Sequence, residues 1–309
     1  MLLGDGRMAQ EALRVLEAYP SIDLTAVVHH GDSARGFRRI RAVDAASAEK
    51  FIECKNVNDD DVLARLEALK PDVMFNVNNF DIIKPRLLDI PSHGIINFHN
   101  GPVPRYRGVH IPSWAIINGE ERHAVTWHLV DEGVDTGPVV RESAFDLSEQ
   151  ETAISLIFRC IDEGIHVLPE ILDDLATGKL TAIPQRGEGQ YYSMKNTPNG
   201  GRIDFTKTCA QVDRFVRGLT FHPFSNTFVT PHFDTLSGPN SVGKVSILPS
   251  TCVDGSRRPG EVRAIDENRI EVQCKDGVIA LEYLADDNGP IPNVRSLATD
   301  IGIRAGTRI

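Results

Sequence analysis

The chain has 309 residues, 41% hydrophobic and 25% charged, with a net charge of −10. That composition is ordinary for a globular protein, with enough chain for one large or two ordinary domains. The acidic balance argues against a general affinity for nucleic acid, which rests on a basic face. No apolar run approaches the roughly 20 residues needed to span a bilayer.

No basic segment followed by an apolar one is visible at the start, so no secretory signal is expected. Cys54, Cys160, Cys209, Cys252 and Cys274 are dispersed and odd in number. They read as small buried thiols in a reducing cytoplasm rather than as ligands or nucleophiles.

Leu2-Leu3 opens a short first strand. Gly4-x-Gly6 makes a tight turn, and apolar residues at 9, 12, 13 and 16 predict a helix over Met8–Tyr19. The turn partly fits a dinucleotide fingerprint, which would suit a nicotinamide-dependent oxidoreductase. Against that, the second strand, Leu24–Val28, ends in His29-His30 and not in an acidic ribose ligand. Arg35–Arg41 holds four arginines, either a solvated loop or a grip on phosphate. Asp59–Leu69 predicts a helix with an acidic first turn. Val73–Val77 predicts a buried strand followed by Asn78, Asn79 and Phe80, then a helical turn at Pro85–Leu88 and a strand at Ile95–Phe98. Pro112–Ile117 reads as a short helix and Ala124–Leu129 as a strand. Leu147–Ala176 is one long amphipathic helix, kinked or split at Pro169. Strands alternating with helices predict a doubly wound, mostly parallel, Rossmann-like α/β sheet for residues 1–185, the expected catalytic domain.

Residues 186–205, rich in Gly, Gln, Tyr and Asn, read as a linker. The chain then resumes with a helix over Asp204–Gly218. Short β-like runs follow at Asn226–Thr230, Lys244–Leu248, Gly260–Ile265, Ile270–Gln273 and Val278–Leu284. They predict a smaller, β-rich, barrel-like (OB-like) C-terminal domain over 206–309.

Chemistry is densest between Ile95 and Val139. Asn97 and His99 lie two apart in a strand, so they share a face. The run ending at Leu129 leads into a turn with Asp131, Glu132, Gly133 and Asp135. An asparagine amide can donate to an oxygen that gains negative charge. A histidine can manage the proton of an incoming amine. An aspartate can fix the tautomer of that histidine and raise its basicity. No serine or cysteine adjoins the histidine, so a hydrolase triad is not indicated. The spacing of His99, His110 and His128 matches no common zinc pattern, and no metal is expected. His128, in an alternating strand, also fits the role of a satisfied core histidine.

At these residues the sequence resembles a known family. Asn97-Phe98-His99, the loop Gly101-Pro102-Val103-Pro104-Arg105-Tyr106-Arg107-Gly108, Trp114-Ala115-Ile116-Ile117-Asn118-Gly119 and Asp131-x-Gly133-x-Asp135-Thr136-Gly137 are similar to motifs of the folate-dependent formyltransferases. Asn100-Gly101-Pro102-Val103-Pro104 departs from the Ser-Leu-Leu-Pro of the tRNA members and is closer to natural-product members. The resemblance implies 10-formyltetrahydrofolate as donor and a primary amine as acceptor. It implies Asn97, His99 and Asp135 as catalytic residues and Asn78, Asn79, Phe80, Val130, Asp131 and Gly133 as folate contacts. Pro104, Arg105, Tyr106 and His110 are the expected acceptor contacts. An amino-sugar nucleotide or a free or carrier-bound amino acid is the expected acceptor. Methionyl-tRNA is second, because Lys207–Ile309 carries 12 Lys plus Arg against 12 Asp plus Glu. Oligomeric state is left open, a homodimer included.

Overall fold

The computed structural model describes residues 1–31, 40, 48–224, 226–235, 238–248, 257–286, 289–290 and 293–309. The arginines of the Arg35–Arg41 loop lie outside them. The chain divides into two compact units. One comprises residues 1–111, 122–146 and 157–192, and the other 112–121, 147–156 and 193–309.

The first unit is built on strands β1 (Leu2–Gly4), β2 (Val27–His29), β3 (Phe51–Glu53), β4 (Met74–Val77), β5 (Ile95–His99), β7 (Arg122–Leu129) and β8 (Val139–Asp146). They form one sheet in the order β3-β2-β1-β4-β5-β7-β8. Pairing is parallel from β3 to β5 and antiparallel from β5 through β7 to β8. This is the mostly parallel, doubly wound sheet expected from the alternation of elements. Helices α1 (Gly6–Ala18), α2 (Asp60–Leu69) and α3 (Pro85–Leu88) connect the parallel strands. Helix α4 (Ile111–Asn118) falls to the second unit from residue 112 on, whereas α5 (Ala153–Ala176) belongs to the first from residue 157 on. The glycine turn after β1 has a packing role, because a Cβ on Gly4 would come within 1.7 Å of the Val77 carbonyl oxygen on β4.

Alternation gives the sheet two characters. On one face Phe75, Phe98 and the fully buried Trp127 pack together, with Trp127 edge-on to Phe75. Trp127 Nε1 donates to the Gly164 carbonyl of α5 at 3.1 Å, so the one polar atom of the indole is satisfied. Gly164 admits this contact, since a Cβ there would lie 2.2 Å from the Phe98 ring. On the other face Leu3, Val28, Met74 and Ile95 pack against Val62, Leu63 and Leu66 of α2. One step along, that same face turns polar.

Several expectations differ from the structure. Helix α5 begins at Ala153 rather than Leu147, and it is not split at Pro169, which lies within it. Within residues 186–205, Gln190–Tyr192 forms a strand, β9, that pairs in parallel with β6 (Tyr106–Gly108). Gly108 allows that pairing, because a Cβ would come within 2.0 Å of the Tyr192 carbonyl oxygen. Residues Asn226–Thr230 are not a strand. The Asn226 amide donates to the carbonyls of Leu219 and Val229 and holds a turn instead.

In the second unit, β10 (His232–Thr235), β11 (Gly238–Ile247), β12 (Val262–Ile265), β13 (Ile270–Gln273) and β14 (Val278–Asp286) form an antiparallel half-barrel in the order β10-β11-β14-β13-β12. The short strand β15 (Gly289–Pro290) pairs with β14. Helix α6 (Cys209–Gly218) starts five residues later than Asp204, because Thr208 and Gln211 form a reciprocal capping box there. Its Val212 and Val216 enter the core with Phe233, Val242, Val272, Ile279 and Leu281, joined by Val294 and Ala298 of α7 (Val294–Asp300). Cys54, Cys160, Cys209 and Cys274 are buried free thiols. Among the described residues no helix is long and apolar enough to cross a membrane.

Candidate active site

Register builds the site. Asn76 on β4 pairs with Asn97 on β5, and Asn97 pairs with His128 on β7. Paired residues share a face, so three polar side chains form a row across three strands. His99 follows on the same face, paired with Thr126.

The row has a donor direction that follows from its end. His128 Nδ1 lies 2.8 Å from the Leu129 carbonyl oxygen, so that nitrogen carries the proton of the neutral ring. Nε2 is then an acceptor, and Asn97 Nδ2 donates to it at 3.0 Å. The Asn97 oxygen in turn accepts from Asn76 Nδ2 at 2.6 Å. The Asn97 amide is thereby oriented, and its second N–H is left for another acceptor.

His99 is buried and its ring is held at both nitrogens. Nε2 donates to the Tyr106 carbonyl at 2.7 Å, and Nδ1 lies 3.5 Å from Asp135 Oδ2. Burial draws His99 below the ordinary imidazole value; Asp135 pulls it up, and His128 adds to the lowering. The neutral ring therefore carries its proton on Nε2 and keeps the Nδ1 lone pair toward Asp135.

Asp135 arrives by an unexpected route. Because β7 runs antiparallel to β5, its last residues lie beside the start of β5, where Val130 N donates to the Ile95 carbonyl at 2.8 Å. The β7–β8 loop then folds back over the row. Asp135 sits at φ 53°, in the left-handed region, with Oδ1 3.3 Å from His128 Nε2. Oδ2 accepts from Gly108 N at 2.8 Å. Burial alone would raise this carboxyl, but the charged forms of His99 and His128 together with the Gly108 N–H outweigh it and hold the group at about 2. Gln185 pins the loop: its Nε2 donates to the carbonyls of Asp135 and Gly137 at 2.9 and 2.7 Å, while its oxygen accepts from Arg107 Nη2 at 2.8 Å.

The loop after β5 is fixed from β7. His123 Nε2 donates to the Asn100 carbonyl at 2.9 Å, and Thr126 Oγ1 to that of Gly101 at 2.8 Å. Burial pushes His123 down to about 4, so it serves as a neutral donor. The buried Tyr106 stacks on Tyr192 at 5.7 Å, Arg105 is exposed, and burial lowers His110, which sits at φ 56°.

Asn97, His99 and Asp135 thus meet in one cluster, with Tyr106 contributing its carbonyl. Asp131 organises the turn, accepting from Gly133 N and from Thr136 Oγ1 at 2.5 Å. Asp131 and Gly133 are exposed on the same loop as Asp135, open to a ligand. Asn78, Asn79 and Phe80 form the loop after β4, with Asn78 at φ 58° and Phe80 against His30. Asn76, Gly108, His128 and Gln185 were not read as site residues from the sequence. Asn76 carried a signal, an asparagine two before Asn78 inside an apolar run. Gln185 carried none. Among the described residues, no group of three or more His, Cys, Asp or Glu is arranged to hold a metal ion.

Comparison with known proteins places this geometry. Residues 2–172 match the formyl transferase family and residues 195–300 its C-terminal domain. The chain is 32% identical over 219 residues to methionyl-tRNA formyltransferase of Pelobacter propionicus, covering 71% of this chain and 65% of that enzyme, just under two thirds of its length. It is 32% identical over 246 residues to the Geobacter sulfurreducens methionyl-tRNA formyltransferase, covering 79% and 74% of the two chains. It resembles the crystal structure of WlaRD, a sugar 3N-formyl transferase in the presence of dTDP and 5-N-formyl-THF, with a TM-score of 0.69. That superposition covers 91% of this chain and 96% of that one at 18% identity, a likeness of fold. The chain belongs to the folate-dependent formyltransferase family.

Proposed function

We propose that this protein transfers the formyl group of 10-formyltetrahydrofolate to a primary amine, using Asn97, His99 and Asp135. The observation that carries the proposal is the hydrogen-bonded cluster of these groups within the matched segment. When the amine attacks the formyl carbon, negative charge develops on the carbonyl oxygen, and the free N–H of Asn97 would donate to it. The nitrogen must lose a proton. His99 Nε2 is engaged with Tyr106, so the proton would be taken at Nδ1. Asp135, ionised across the physiological range, would hold the resulting imidazolium without taking the proton itself. Collapse of the adduct would break the bond from the formyl carbon to N10, which would take up the proton held on His99, releasing tetrahydrofolate and leaving the amine formylated. The exposed turn at Val130, Asp131 and Gly133 and the loop at Asn78, Asn79 and Phe80 would contact the folate. Pro104, Arg105, Tyr106 and His110 would line the acceptor side.

For the acceptor we favour an amino-sugar nucleotide or a free or carrier-bound amino acid. Support comes from the charge balance of residues 207–309, 12 Lys plus Arg against 12 Asp plus Glu, part of it held in ion pairs. Arg202 pairs with Asp234 at 2.9 Å, Arg217 with Asp213 at 2.7 Å and Lys244 with Glu282 at 3.0 Å. Arg269 is shared between Asp266 and Glu271 at 3.1 and 3.0 Å. A segment with no net positive charge gives a polyanion no general electrostatic attraction. A tRNA acceptor is the second reading, favoured by the names of the sequence relatives. The test is incubation with 10-formyltetrahydrofolate and a panel of amines that includes methionyl-tRNA, read as mass gain of one formyl group. Formylation of none of them would overturn the transfer; formylation of methionyl-tRNA alone would overturn the acceptor class.

A further inference from the structure

A second cluster of titratable groups lies at the carboxyl ends of β1 and β2, outside the trio. His30 follows β2. Its Nδ1 lies 2.9 Å from Asp5 Oδ2, in the turn after β1, and its Nε2 lies 2.8 Å from Asp81 Oδ2, in the loop after β4. The His30 backbone N–H also donates to Asp5 Oδ2 at 3.1 Å. Asp81 Oδ2 accepts in addition from Val57 N, in the segment after β3, at 2.9 Å. One ring therefore ties together chain leaving four adjacent strands. Asp5 is 1% exposed, and the His30 and Asp81 side chains 8% and 16%.

Ionised carboxylates only accept hydrogen bonds, and a neutral imidazole has a single N–H. Only the imidazolium can donate to both partners. The loop after β4 is shaped around the same aspartate: Asn79 Nδ2 donates to the Asp81 carbonyl at 2.9 Å, and the Phe80 ring lies against His30, 6.0 Å between centroids. We propose that His30 is a positioning residue that, as an imidazolium between Asp5 and Asp81, holds the 78–83 loop ready for the folate. The proposal rests on the donor reading given above.

The described groups facing His30 are Asp5 from the β1 turn, Asp81 and Phe80 from the β4 loop and, nearby at the end of β3, Cys54. Burial and then the charges of Asp81 and Asp5 push the Cys54 thiol up to about 12, so it stays neutral. Hydrogen bonding to Asp5, opposed by burial and supported by Asp81, raises His30 above the ordinary value of 6.5. The sign follows. The clamp is at full strength below 6.5 and is lost as pH rises through the raised value. Its loss falls on the alkaline side, away from the titration of His99, which lies lower.

The test uses the full chain, with His30→Gln and Asp81→Asn. Hydrogen-exchange protection factors of the 78–83 amides need no ligand and report the clamp. Tetrahydrofolate affinity and the kcat and KM for the formyl donor report its use. In the wild type, protection and tetrahydrofolate affinity fall together between about pH 6 and pH 9, affinity by roughly tenfold, the size of one charge-assisted hydrogen bond. His30→Gln shows the weak, pH-flat behaviour throughout, with KM raised and kcat little changed. Asp81→Asn, which removes one of the two charges that favour the imidazolium, loses protection at lower pH than the wild type. Unchanged protection in a folded His30→Gln protein would overturn the clamp. Lost protection with unchanged affinity would overturn the positioning role. No tetrahydrofolate binding by the wild type would instead overturn the donor reading, a result the exchange data separate from the clamp.

Discussion

The two faces of β4, β5 and β7 make an instructive pair. Side chains one residue apart do opposite work. Phe75, Phe98 and Trp127 fill a closely packed apolar interior bounded by Gly164 of α5. Asn76, Asn97 and His128 form a hydrogen-bonded row that orients one amide, and the Tyr106 carbonyl orients the His99 imidazole beside it. The apolar face supplies stability through burial and close packing. The polar face draws little stability from its contacts, since each hydrogen bond replaces one to water. It has geometry to offer instead. Substitutions on the two faces should therefore separate into losses of folding and losses of turnover.

The largest effect should come from the apolar face. Trp127→Ala should cost about 3–5 kcal/mol in chemical denaturation, the usual range for emptying a buried aromatic site. A cost near zero would mean that this face does not carry the fold. On the polar face, His99→Ala and Asp135→Asn should each lower formyl transfer by at least about a hundredfold, with a melting temperature close to the parent's. Near-normal turnover by either would break the division of labour. His128→Phe, which removes the acceptor that orients Asn97, should lower kcat by roughly tenfold and leave KM for the amine unchanged. A rise in KM alone would assign His128 to binding. The smallest effect is in the pH profile. His99 must be neutral to take a proton, and its value lies below 6.5, so kcat should fall only as pH drops through that lower value. Removing the Asp135 charge removes an influence that raises His99. The residual activity of Asp135→Asn should therefore show its acid limb at lower pH, whereas an upward shift would contradict the pairing.

The same contrast explains what could be read from the chain. Helices α1, α2 and α5 declare themselves by apolar spacing, and the parallel strands by short apolar runs. Strand β8 hides because Val139–Asp146 is an edge with charged residues on its open face. Strand β9 owes its existence to its pairing with Tyr106–Gly108, a non-local fact. Asn97, His99 and Asp135 stand out through their motifs, but their neighbours do not. That His128 sits opposite Asn97, and Asn76 on its other side, depends on strand register. The reversal of β7 is equally silent in sequence, yet it lets a hairpin loop carry Asp135 back over the row.

The tie from Gln185 to the backbone of Asp135 and Gly137 has a practical consequence. The stretch matching the family's first domain ends at residue 172, short of that glutamine. A protein truncated there would keep every member of the trio and most of the sheet. It would still have cut the mooring that keeps the carboxylate within reach of His99, and a minimal fragment for dissection should extend past the strand at 190–192.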